Sequence, residues 1–374
     1  MSSQAKDITS ETTSTTEHSN STDSNNAKNE VLGMKKVLMD SKVKCDTTGK
    51  QKSVWAMTLE TFGMADGHSK GGDVVVETLE EGLEILNEHL QDKDRKLQET
   101  QNNDNEKKDD DPSTLCTSWM DLVPLNEFEA TQDQFLAAFL KWATKDPDSA
   151  NTSKKGKDKH KTGKGNINVS KARRRLDAYF EWMDANMAQN LKEKPLTRES
   201  IQAAAKVWDI QITYTNEGLF VWWVDIGALD KEVLGAMDSQ EHLRYLVWFS
   251  HFVIFDAKAQ DHGAMIIENL GRIGFWKMCT LVPMDLGAKL DRLTIGILPV
   301  KMKSIYVFGA AGWMNILMTM MKPFMGKKMR DRMVVVNDKK TDMQTYCDEL
   351  VTRAQIPQGF CGLQGEARRD AFFK

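Results

Sequence analysis

The chain has 374 residues, 40% of them hydrophobic, and its 50 basic and 54 acidic residues leave a net charge of −4. That length holds one large domain or two smaller ones, and the apolar share is that of a globular protein. Cys45, Cys116, Cys279, Cys347 and Cys361 are scattered, odd in number and without a C-x-x-C pair, so neither a disulfide frame nor a zinc knuckle is expected and a reducing compartment is the simplest reading.

Residues 1–52 are rich in Ser, Thr and Asn and poor in large apolar groups, too little to offset the entropy of ordering, so a disordered tail is expected. Residues 1–30 carry acids and no apolar core, unlike a signal or transit peptide, and a cytoplasmic location follows. Residues 53–113 form the next unit. Within it, Leu79, Leu83, Leu86 and Leu90 recur at i, i+4, i+7 and i+11 among acids, the stripe of an amphipathic helix over 74–97 that either packs on the main domain or recruits a protein partner. A polar linker, 98–112, ends it.

A small helical subdomain is expected over 114–195, with Phe135, Leu136, Phe139 and Leu140 on one buried face and Leu176, Tyr179, Phe180, Met183 and Met187 on another. Between these helices lies an insertion, 152–165, in which Lys154, Lys155, Lys157, Lys159, Lys161 and Lys164 face the single acid Asp158. Its glycines forbid regular structure, so it reads as a cationic loop that attracts anionic membranes. Lys171, Arg173, Arg174 and Arg175 extend that field. No aromatic stacking or groove-reading motif accompanies the basic residues, and nucleic acid is not expected as a partner.

From 196 to 365 the pattern alternates: strand 219–224, helix 241–255, strand 265–269, helix 284–297, strand 304–308, a Met-rich helix from Trp313, and strand 333–336, with a tail at 366–374. Such alternation predicts an α/β sheet with right-handed crossovers. The uncharged run 304–321 approaches the length of a membrane span, but its glycines, Asn315 and change of period favour strand plus helix. Met302, Met314, Met318, Met320, Met321, Met325, Met329 and Met333 crowd this region, and unbranched, polarizable Met suits a lid that shifts between packings.

No catalytic motif emerges. His251, Asp256 and His262 have no metal-ligand spacing, and G-x-S-x-G, G-x-x-x-x-G-K-[ST] and G-x-G-x-x-G after a strand are all missing. Neither an enzyme nor a cofactor or metal is expected.

Three stretches carry a family resemblance: Pro299 leading a strand, Lys322-Pro323-Phe324 followed by basic residues, and Ile356-Pro357-Gln358-Gly359-Phe360-Cys361-Gly362. Together they resemble the CRAL-TRIO (Sec14-like) lipid-binding domains, with 218–227 and 263–270 similar to the first sheet strands and Asn269 where an Asp is usual. The resemblance implies a mostly parallel sheet floor with helices and a gate helix, preceded by the all-α subdomain and the disordered tail. It implies a lipid pocket walled by Phe249, Phe252, Val253 and Ile267, by Leu290, Leu293, Leu298 and Val300, and by Met302 and Ile305. Trp313, Leu317, Met321 and Phe324 would close it from the gate. Val300 replaces the Glu of phosphatidylinositol-carrying members, so the chain looks nearer the tocopherol- and retinoid-carrier branch. In that branch, cations matching Lys301, Lys328 and Arg332 contact phosphoinositides. The implied function is transfer of a small hydrophobic lipid by a peripherally membrane-associated protein; the alternative is a scaffold that keeps the fold without cargo.

Overall fold

A computed structural model describes residues 73–105, 118–145, 166–322, 325, 327–336, 351 and 356–357, with backbone alone at 42–44, 51–53, 101–105, 320–321 and 327–329. Within the expected tail, β1 (Lys42–Lys44) pairs antiparallel with β2 (Gln51–Ser53). The rest of residues 1–52, the lysine insertion 152–165 and the tail 366–374 lie outside the described residues.

A two-residue strand, β3 (Val75–Val76), precedes the first helix, α1 (Leu79–Asn105). The helix runs past residue 97 and takes in 98–105, where the composition predicts a linker. Glu80 and Glu81 occupy its first turn, where negative charge favours the positive end of the helix dipole. Leu86 and Leu90 are buried, and Leu79 and Leu83 pack partly buried against the same core. The stripe is therefore spent within the molecule, on α2 (Gln132–Ala143) and α3 (Val169–Glu193). Gly82 permits the close approach, since a Cβ there would stand 3.0 Å from a Leu140 methyl.

The helix ends are specified by short polar side chains. Thr131 and Gln134 form a capping box at α2, Asn168 caps α3 after the short strand β4 (Ile167–Asn168), and Thr197 caps α4 (Arg198–Trp208). Strand β4 pairs with β3, which ties the start of α1 to the start of α3.

Five strands form the sheet in sequence order: β5 (Gln211–Tyr214), β6 (Phe220–Asp225), β7 (Ala264–Asn269), β8 (Met302–Phe308) and β9 (Met333–Val336). Strand β5 is antiparallel to β6, and the other pairings are parallel. The sequence pattern gives no sign of β5, whose four residues alternate weakly. Parallel neighbours need helical crossovers. The first is α5 (Lys231–Gly235), α6 (Ser239–Phe255) and α7 (Ala257–His262); the second is α8 (Phe275–Leu281) and α9 (Met284–Asp291), which widens into a π-helical turn, Arg292–Ile297. The third is the gate helix α10 (Gly312–Met321) and α11 (Lys327–Arg332). The run 304–321 is thus strand and helix, and no helix among the described residues is long and apolar enough to cross a membrane.

The strand period divides the sheet between two cores. Val221, Trp223, Met265, Ile267, Phe308 and Val336 face Val351 and Ile356 on one side. Phe220, Trp222, Val224, Ile266, Ile305 and Val307 face the helices on the other. That second core is continuous from Leu86 on α1 to Met325, so the helical subdomain and the sheet domain, separable at 195/196 by sequence pattern, share one interior. Their joint is specific. Phe128 packs against Trp248 and Phe255 with centroids 5.3 and 5.4 Å apart, and Tyr179 O–H meets His251 Nε2 at 2.5 Å. Arg244, fully buried, donates to Asn190 Oδ1, to the Lys194 and Pro195 carbonyls and to Ser200 Oγ.

Candidate functional site

Between the inner face of the sheet and the crossover helices lies a cavity of about 330 Å³. Its floor is Trp222, Val224, Ile266, Ile305 and Val307, with Met333 beside them. One wall is α6, through Leu246, Phe249 and Val253; the opposite wall is α9 and the π turn, through Ala288, Leu290 and Ile295. Helix α8 closes an end with Phe275, Met278 and Cys279.

The gate helix presents Trp313, Met314, Leu317 and Met318 to the cavity, the i, i+1, i+4, i+5 pattern of one face. Trp313 anchors it: the indole N–H donates to the Ile273 carbonyl at 2.8 Å, and the ring meets Phe275 edge-on at 5.5 Å. Gly309, at φ +60°, supplies the left-handed turn that lets the chain leave β8 and enter this helix. Met314, Met318, Met325 and Met333 line the cavity, whereas Met302 does not.

Of the wall residues implied by the resemblance, Phe249, Val253, Leu290, Ile305, Trp313 and Leu317 come together around this space. Ile267 does not: it lies one residue out of phase with Ile266 and Glu268 and packs in the opposite core. Phe252 instead stacks between Trp248 and Phe249, 6.0 and 6.4 Å away. Leu293, Leu298, Val300 and Met302 are buried in the core beside the cavity rather than on its surface. Leu293 lies within the widened π turn, Leu298 and Val300 follow it, and Met302 stands at the register shift between Ala264 and Met265; both irregularities change which side chains face inward. The Met321 side chain and Phe324 lie outside the described residues.

Two side chains in this apolar space were not foreseen. Glu268 rises from the floor, flanked in register by Val224 and Val307, and Asp291 projects from the wall at the end of α9. Burial, and then the charge of Asp291, push the Glu268 carboxyl up to about 7; burial alone pushes Asp291 up to about 7. A legible signal existed for Glu268: alternation puts it on the same inward face as Ile266.

The three residues that might be drawn as a metal trio have other partners. His251 Nδ1 faces the Val247 carbonyl at 2.8 Å and must donate to it, so Nε2 accepts from Tyr179. Burial lowers the imidazole to about 4 and keeps it neutral. Asp256 caps α7 and accepts from Tyr214 O–H at 2.7 Å, while the His262 ring lies 3.0 Å from where a Gly218 Cβ would stand.

The basic residues beside the lysine insertion are partly committed. Lys171 and Arg175 lie over the Trp142 ring at 4.2 and 3.9 Å, Arg174 reaches Asp73 at 3.7 Å, and Lys141 pairs with Asp261 at 2.8 Å. Lys301 and Arg332 immediately precede the adjacent strands β8 and β9 and so lie at one edge of the sheet; Lys328 is placed by backbone on α11.

A mostly parallel sheet, its crossover helices and the helix from Gly312 thus surround one apolar cavity. Residues 210–360 match the CRAL/TRIO domain. Among solved structures it is similar to one titled "Crystal structure of Sfh5", at 13% identity and a TM-score of 0.33, over 47% of this chain and 63% of that one. No curated protein matches the chain.

Proposed function

We propose that this protein takes up one small hydrophobic molecule in the cavity and carries it between membranes. The observation that carries the reading is an apolar cavity of about 330 Å³ inside a CRAL/TRIO domain. A hydrocarbon left in water costs roughly 0.8 kcal/mol per CH₂, so a carrier must enclose its cargo. The volume lies near the lower end of the ~300–1,000 Å³ usual for ligand pockets, which favours a compact tocopherol-, retinoid- or isoprenoid-like ligand over a two-chain phospholipid.

Docking is proposed on anionic, phosphoinositide-bearing membranes, from a cytoplasmic location. Lys301, Lys328 and Arg332 supply cations around the gate's return to the sheet, where Lys322 and Arg330 are exposed, and such groups make charge-assisted bonds to phosphate oxygens. Half-exposed Trp276, 50% accessible beside the cavity residue Phe275, is suited to a membrane interface. The lysines of 152–165 are proposed, on composition alone, to add long-range attraction. Because the α1 stripe is covered by α2 and α3, a scaffold that recruits partners through that stripe is disfavoured.

Gly287 offers a direct test, since it lines the cavity and a Cβ there would meet only Val282 Cγ1 at 3.8 Å. Gly287→Leu fills the space without a backbone clash. Transfer of a fluorescent retinoid or tocopherol analogue between phosphoinositide-containing vesicles should fall roughly tenfold, about 1.4 kcal/mol of lost binding, with thermal stability kept. Equal transfer by the folded variant would remove the cavity from the mechanism.

A further inference from the structure

The polar groups lining the cavity fall into two sets. Ser250 and Thr294 have hydroxyls that donate to their own helices, to the Leu246 and Leu290 carbonyls, each at 2.8 Å. Glu268 and Asp291 have no hydrogen bond or ion pair among the described residues, and both face the cavity. Among the described residues no Lys, Arg or His lines it.

Glu268 stands in a row of the sheet whose neighbours in register are Val224 and Val307, and an apolar side chain would continue that row. An unpaired charge in an apolar interior is costly, and two facing acids are costlier. Burial shifts both carboxyls to about 7, so near neutral pH the pair holds close to a single negative charge. One monocation with several N–H donors satisfies it, whereas a fatty-acid carboxylate or a phosphate meets repulsion.

We propose that the cavity selects a small lipophilic amine, its ammonium group seated between the Glu268 and Asp291 carboxyls and its apolar body against the floor and gate. This deepens the carrier reading and rests on it, for it names the head group that the same cavity accepts.

The test titrates the full chain calorimetrically at neutral pH with three probes of one chain length, decylamine, decanol and decanoic acid. Decylamine should bind roughly tenfold or more tighter than decanol, as charge-assisted hydrogen bonds imply, and decanoate should bind weakest. In the Glu268→Gln, Asp291→Asn double variant the advantage of the amine over the alcohol should vanish. Equal binding of the three probes by the native protein, or a preference for decanoate, overturns the amine proposal and leaves the carrier standing. Binding of none of them by the native protein overturns the carrier reading and this inference with it.

Discussion

Asn269 shows how one atom decides a residue. Its side-chain oxygen accepts from the Gly271 N–H and its amide donates to Asp225 Oδ1, both at 3.1 Å. An aspartate, usual here in the family that the sequence resembles, accepts in both directions and would set two carboxylates together. Asn269→Asp should therefore cost about 1–3 kcal/mol at neutral pH, a lost hydrogen bond plus repulsion. The new carboxyl, raised by Asp225, binds its proton earlier in the folded than in the unfolded chain, so the deficit should shrink as pH falls through the carboxylate range. Urea titrations at two pH values check this; a deficit that grows on acidification would refute the pairing. The Asn was visible in the sequence, but its reason was not, because the partner Asp225 lies 44 positions away. Ile267 illustrates the converse error. The resemblance put it in the pocket, while strand phase put it on the other face and left the inward position to Glu268.

At the scale of elements, the second crossover matters most. Asp291 at the end of α9 and Ile295 in the π turn both line the cavity, and that turn is held by Arg175 from α3. The guanidinium donates to the carbonyls of Ile295 at 3.1 Å, Ile297 at 2.8 Å and Leu298 at 2.6 Å. A widened turn has poorly aligned backbone bonds and depends on such outside donors. Arg175→Met keeps the apolar stem and removes the donors; the expected loss is about 2–4 kcal/mol, read from urea midpoints, along with weaker probe binding as the Asp291 wall loosens. A change below ~0.5 kcal/mol, the size of an ordinary surface substitution, would mean that the turn holds itself. The basic run around Arg175 reads in sequence as part of a membrane-facing field, and only the fold shows that it clamps the pocket wall. The gate helix was legible by period, yet its inward face is Met314 and Met318 with Trp313 and Leu317. Ile316 does not line the cavity, since anchoring by Trp313 sets the rotation.

Over the whole molecule, the α/β class and its helical crossovers followed from the alternation of patterns, and strand 333–336 stands where that pattern put it. The unity of the interior did not follow. Polar and acidic stretches in the sequence mark boundaries, but α1, the α3 face around Tyr179 and the sheet domain bury their apolar surfaces against one another. The apolar cavity interrupts that core among the described residues and is the space proposed for the ligand. The measurement that tests this claim most directly is the mass of the full chain, purified without detergent and weighed under native conditions, before and after incubation with a mixed lipid extract. The expected result is one additional small organic molecule per chain, released on unfolding. A chain that stays at its bare mass in both conditions would contradict it.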